Sequence, residues 1–219
     1  MNRPDPVEYA WWLSSRAAGV VAFLLIALSV LLGLAMANRL VRGKAAAKLH
    51  EHLALAGLVA IAVHGITLLG DSWLNPGAKG LLVPFAMDIK PLFTGLGIIG
   101  GYLAAVLGLS FYLRRRIGAK RWRKMHRATV LVYLLGVVHT LGAGTDASAP
   151  WMRAILLATG APIVFLFLLR VLPEDAEAKP KPAPRAKPDR PAAEPAPSAP
   201  PPAPRPHRIP TATPQPEAT

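Results

Sequence analysis

Five stretches of this chain are apolar for long enough to cross, or nearly cross, a membrane, and polar, mostly basic residues separate them. A hydrocarbon core about 30 Å thick takes about 20 apolar residues of α-helix. The stretches run from about Ala17 to Met36, from Leu49 to Leu69, from Phe93 to Leu113, from about Met125 to Leu141 and from Trp151 to Leu172. The fourth is the shortest by apolarity. Its first turn is basic, but Arg127 can snorkel to the interface while the helix continues inward. Pro162 lies inside the fifth stretch and predicts a kink, which membrane helices tolerate where neighbours satisfy the freed carbonyl. The pattern therefore predicts an all-α integral membrane bundle of about five transmembrane helices over residues 17–172, preceded by an interfacial segment, residues 1–16. Ala35-Met36-Ala37 looks like a signal-peptide cleavage site, but the apolar run is too long for a signal and Asp5 and Glu8 precede it. The first span is expected to stay.

From Pro173 onward the pattern stops. Sixteen prolines fall in the last 47 residues, with almost no large apolar side chains, so this segment cannot build a core. Residues 173–219 are expected to form a disordered, solvated tail of polyproline-like character. Recognition by an aromatic groove is the alternative role for such a segment.

Charge orients the bundle. The chain carries a net charge of +13. Its basic residues gather in two connections: Arg39, Arg42, Lys44 and Lys48 after the first span, and Arg114, Arg115, Arg116, Lys120, Arg121, Arg123 and Lys124 after the third. By the excess of Lys and Arg on cytoplasmic loops, both connections and the tail face the cytoplasm and the N-terminus faces outward. Trp11, Trp12, Trp73 and Trp151 then gather near the outer interface, with Trp122 near the inner one, as amphipathic rings prefer. No aromatic-basic module accompanies the charge, so nucleic acid is not expected as a partner. The expected setting is the cell's cytoplasmic membrane, crossed several times. The chain has no cysteine, which excludes disulfides, thiolate-ligated haem and cysteine-bound iron–sulfur clusters.

The chemistry sits in histidines. His50 and His64 are fourteen residues apart in the second span, and His126 and His139 thirteen apart in the fourth. Each spacing is about 20 Å along a helix axis. Spans two and four start on the same side, so their histidines match in depth, pairing His50 with His126 and His64 with His139. Ionisable groups at depth are costly and point to function. Two facing imidazoles fill both axial positions of haem iron, which suits electron transfer better than oxygen binding. At about 100° per residue, His50 and His64 share a helix face, whereas a straight helix would leave His126 and His139 about 140° apart. Span four must then be rewound, kinked or irregular near His126, with Gly136 a candidate flexible point. His52 is out of phase and is read as interfacial or as a support for a neighbouring ligand, and His207 as solvated. Thr67, Thr140 and backbone carbonyls are candidate acceptors for the second ring nitrogens. Arg16, and Lys48, Arg123 or Arg127, are candidates for holding haem propionates, although interfacial anchoring also suits each of them.

With these residues in view, the chain resembles the ferric reductase-like transmembrane family. That family includes ferric reductases, NADPH oxidases and the haem-binding membrane subunit of the bacterial methionine sulfoxide reductase system. The resemblance runs from about Trp12 to Leu172 and is carried by RRRIGAKRWRKMHRATVLVYLLGVVH and KLHEHLALAGLVAIAVHGITLLGD. It implies two b-type haems stacked across the bilayer and ligated by His50, His64, His126 and His139, and it implies that the thirteen-residue spacing is workable. Methionine sulfoxide subunits lack a counterpart of His50, so its presence favours the two-haem pattern. Ferric reductases and NADPH oxidases commonly continue into a flavin and nicotinamide domain, and no Gly-rich dinucleotide fingerprint occurs here. The resemblance thus implies a separate electron donor, a cytoplasmic flavoprotein reductase or membrane quinol, and an acceptor at the outer face such as ferric iron, oxygen, a quinone or a partner protein. The apolar LLVPFAM in the connection from Gly70 to Phe93 is a candidate cover for the outer site. The competing expectation is a haem-free membrane anchor that recruits a partner through its proline-rich tail.

Overall fold

The computed structural model describes residues 6–172; the N-terminal five residues and the proline-rich segment 173–219 lie outside it. All regular structure among the described residues is helical: α1 (Pro6–Ala37), α2 (Lys44–Leu68), α3 (Gly77–Leu82), α4 (Pro91–Leu109), α5 (Arg114–Ile117), α6 (Ala119–His126), α7 (Thr129–Ala143) and α8 (Pro150–Val171). Four of these, α1, α2, α4 and α8, are long and apolar enough to cross a membrane. The chain is a multi-pass membrane protein. α1 is continuous from Pro6, so residues 6–16 are the opening turns of the first spanning helix.

The fourth apolar stretch departs from a single span. It is divided between the basic α6 and the apolar α7, which has 15 residues and so rises only about 22 Å. Between them Arg127 and Ala128 form a turn in which Ala128 N–H reaches the Met125 carbonyl (2.9 Å) and Leu131 N–H the Ala128 carbonyl (2.9 Å). These are tighter contacts than the helical ladder makes. His126 ends one helix and His139 lies on the next, so the phase of one straight helix does not bind them. The irregularity is at Arg127–Ala128, whereas Gly136 lies in uninterrupted helix. The third span also ends earlier than its apolarity suggests, at Leu109, and residues 110–113 are turns. Gly118 separates α5 from α6 at φ 89°, a conformation open to glycine and strained for other residues.

Packing is centred on α1, which lies along α2 and also touches α7 and α8, while α4 packs on α7. Phe23, Ala27, Val30 and Leu34 of α1 join Tyr133 of α7 and Ile163 and Leu166 of α8 in one cluster. Ala104 and Leu107 of α4 meet Val132 of α7 in a second. Tyr133 and Thr159 satisfy each other's hydroxyls at 3.0 Å across α7 and α8, as a polar pair in an apolar interior must. Large apolar side chains on the outward faces remain open, among them Val59, Val106, Leu157 and Phe165. Water would oppose such a surface, and lipid accepts it.

Candidate functional site

A repeat in α1 answers the histidine spacing of α2. Ser15 and Ser29 are fourteen residues apart, as are Gly19 and Gly33, and the antiparallel packing sets each Ser–Gly pair against one histidine. Nδ1 of His64 donates to the Ser15 carbonyl at 2.8 Å, and Nδ1 of His50 to the Ser29 carbonyl at 2.9 Å. Each serine hydroxyl also lies 3.1 Å from the same Nδ1 and donates to the carbonyl of the histidine itself, at 3.3 Å for Ser15 and 3.4 Å for Ser29. Glycine makes the approach possible. In a helix the Cβ of residue i+4 tilts back over the carbonyl of residue i. A Cβ on Gly19 would stand 3.0 Å from the His64 ring, and one on Gly33 3.1 Å from the His50 ring. Both glycines open a carbonyl to a side chain from the neighbouring helix.

The same device recurs on α4. Nδ1 of His139 donates to the Phe93 carbonyl at 2.9 Å, and a Cβ on Gly97, four residues on, would run into the His139 ring. Fourteen residues beyond Phe93 stands Leu107, whose carbonyl lies near His126 without meeting hydrogen-bond geometry. Nδ1 of His126 is buried and has no hydrogen-bond partner. Its ring is stacked on Trp122 instead, with centroids 4.8 Å apart and planes 24° apart.

The four rings form two pairs. His50 faces His126 with centroids 6.0 Å apart at 87°, and His64 faces His139 at 6.3 Å and 75°. With a metal–imidazole bond of about 2.0 Å and about 1.1 Å from ring nitrogen to ring centre, two imidazoles sharing one iron have centroids about 6.2 Å apart. Bonding Nδ1 to a carbonyl leaves Nε2 as the free, basic nitrogen, the arrangement of metal-ligating histidines. Among the described residues no group of three or more histidine or acidic side chains could hold a bare ion. A pair of imidazoles suits iron whose remaining bonds come from a porphyrin.

A largely apolar cavity of about 1020 Å³ opens beside the His64–His139 pair. It is lined by α1, α2, α4 and α7 and by the connection between α2 and α4, including Leu81, Leu82 and Met87. This volume is at the top of the range for ligand sites. The apolar residues of that connection form one wall of the cavity. The cavity does not include His50 or His126. Arg16 and Asp146 line it and form a two-point ion pair, Nε to Oδ2 at 2.6 Å and Nη2 to Oδ1, and the Arg16 guanidinium also lies over the Trp12 ring. At the other pair, Lys48, Arg123 and Arg127 are exposed, Arg127 in the turn directly after His126. His52 is exposed as well. Thr67 donates to the Val63 and His64 carbonyls at 2.8 and 3.1 Å and leaves the ring nitrogens alone. Thr140 lines the cavity. Ser15, Ser29, Phe93, Gly19, Gly33 and Gly97 escaped the sequence reading.

Residues 18–137, just over half of the chain, match the family described as ferric reductase like transmembrane component. The chain belongs to that family. No solved structure matches it. The matched region contains all of α2 and α4, the basic α5 and α6, and three of the four paired histidines, with His139 two residues beyond its end. Members of the family generally bind haem, and the two imidazole pairs of this ferric reductase-like bundle, with three of their four rings anchored at Nδ1 and an apolar cavity beside His64 and His139, fit that group. Membership supports a membrane redox role. No flavin-binding domain is found within these 219 residues.

Proposed function

We propose that this protein is a membrane b-type cytochrome with two bis-histidine haem sites, His50 with His126 and His64 with His139, carrying electrons across the bilayer. The observation that carries the reading is the pairing of imidazoles at 6.0 and 6.3 Å, close to the separation one shared iron requires. Haem bound at these sites would supply the one-electron chemistry, leaving the protein to set position and potential. Ser15, Ser29 and Phe93 fix the tautomers of three rings through their carbonyls. The apolar cavity wall suits a porphyrin face, and Arg16 and Arg127 are the cations that would meet the propionates of the two sites.

Loop charge supports an orientation with the His50–His126 pair towards the cytoplasm, since α5, α6 and the connection between α1 and α2 carry the basic excess, and the proposed setting is the cell's cytoplasmic membrane. A separate flavoprotein reductase or quinol would deliver electrons there, with any flavin held by that partner. The acceptor at the outer side would be ferric iron, oxygen or a partner protein. The deciding experiment replaces His64 and His139 together with alanine in the full chain and measures haem per polypeptide and dithionite-reducible absorbance. Loss of about half the haem supports the reading. Unchanged haem content and redox activity in the double variant would sink it and favour the haem-free anchor.

A further inference from the structure

Three of the four paired histidines are held in one way and His126 in another. For His50, His64 and His139, a helix carbonyl accepts Nδ1 and a glycine four residues on clears its path. The fourth position in this register would use the Leu107 carbonyl and a glycine at 111. Residue 111 is phenylalanine, and the Leu107 carbonyl, near the end of α4, accepts the Ser110 hydroxyl at 2.7 Å. Trp122 Nε1 in turn donates to Ser110 Oγ at 3.2 Å, and Phe111 packs edge-on against the indole at 5.9 Å. The indole thus pinned lies flat against the His126 ring. Ser110 holds Trp122, Trp122 sets the plane of the His126 ring, and Nδ1 is left buried without a partner.

Resting on the haem reading above, we propose that Ser110 and Trp122 are positioning residues that make the His50–His126 site the higher-potential of the two. A ligand imidazole whose N–H is bonded to a carbonyl gains imidazolate character and donates more strongly, which favours oxidised iron. His64 and His139 both have that bond. At the other site only His50 has it, so the oxidised form there is less stabilised. Electrons entering at the basic end would then rest on the His50–His126 site until the outer one is drawn down by its acceptor.

The test is a spectroelectrochemical titration of the full-length, haem-loaded protein in lipid nanodiscs, comparing wild type with Ser110→Ala, Trp122→Phe, Trp122→Leu and Gly97→Ala. Removing the Ser110 hydroxyl unpins Trp122 and lets the His126 ring turn its Nδ1 onto the Leu107 carbonyl. The expected result is a fall in the higher midpoint potential alone, with both haems retained. That component should also be the one that survives Gly97→Ala, which strikes the His139 site. Low-temperature EPR should show the signal of the same component altered most in Trp122→Leu and less in Trp122→Phe, which keeps a flat ring against His126 but loses the bond to Ser110. Two bound haems with both potentials unmoved by Ser110→Ala, or both moved equally, would overturn the inference while leaving the haem reading intact. A wild-type protein that binds no haem would overturn both.

Discussion

Two glycines four residues apart on α4 give a sharp contrast. Ala in place of Gly gains about 1 kcal/mol of helix propensity at either position. At Gly101 the new Cβ meets only Ile61 Cγ2 at 3.6 Å, an ordinary contact. At Gly97 it runs into the His139 ring, which is tied to the Phe93 carbonyl at 2.9 Å and cannot yield without breaking that bond. Overpacking costs about 1–3 kcal/mol, and losing the hydrogen bond about 1 more. Gly97→Ala should therefore be destabilised by about 1–3 kcal/mol and Gly101→Ala be neutral or stabilised by about 1, a gap of about 1–4. Disturbing a ligand's supporting bond costs about 10- to 100-fold in retention of the bound group. Thermal unfolding followed by circular dichroism, with haem loss followed in the Soret band, measures both. Wild-type stability and haem in Gly97→Ala, or an equal loss in Gly101→Ala, would show that the Gly97 Cβ does not meet a tethered ring.

Other substitutions probe separate parts of the structure. Asp146 is mostly buried and Arg16 about a third exposed, at 11% and 35% side-chain exposure. Asp146→Ala leaves the guanidinium beside an apolar cavity and should cost about 1–3 kcal/mol, less than a fully buried pair because water still reaches Arg16; a double-mutant cycle with Arg16→Ala should recover much of the loss, and strict additivity would show that the pair is not coupled. Tyr112, in the turns beyond α4, donates to the Glu51 carboxylate at 2.9 Å, and this bond raises its pKa above the ordinary tyrosine value. The neutral phenol is the form the fold favours, so the small contribution is present at neutral pH and lost as pH rises through the raised value; ultraviolet titration should show that value falling in Glu51→Ala, and no change would remove the assignment. Truncation after Leu172 should leave haem per polypeptide unchanged, since every residue assigned to the two sites precedes it; haem loss from a folded truncated protein would contradict this.

Much of the architecture is legible because lipid imposes a crude rule, long apolar stretches separated by charge, and α1, α2, α4 and α8 follow it. The fourth stretch reads as one span by apolarity alone, although the thirteen-residue spacing of its histidines already required an irregularity near His126. Apolarity counts residues from Met125 onward, whereas the helix breaks at Arg127–Ala128 so that His126 and His139 can be carried by different segments. The histidines announce themselves because imidazoles at depth are expensive. Their anchors do not, since a backbone carbonyl has no sequence signature. A partial signal was present all the same: Ser15 and Ser29, with Gly19 and Gly33, repeat at fourteen residues, the spacing of His50 and His64 on the adjacent helix. On α4 the carbonyl comes from Phe93, and Gly97 is one of several glycines in its helix, so nothing in the sequence distinguishes it. The position of Trp122 against His126 was equally silent, because a tryptophan in a basic connection reads first as an interfacial anchor.

Haem content decides whether the two imidazole pairs hold iron. The protein, purified in mild detergent from haem-supplied cells, should give two b-type haems per polypeptide by pyridine haemochrome and a low-spin reduced-minus-oxidised spectrum, as two imidazole pairs require. A folded protein with no haem would contradict the account, and a single haem would confine it to one pair and refute transfer between two sites.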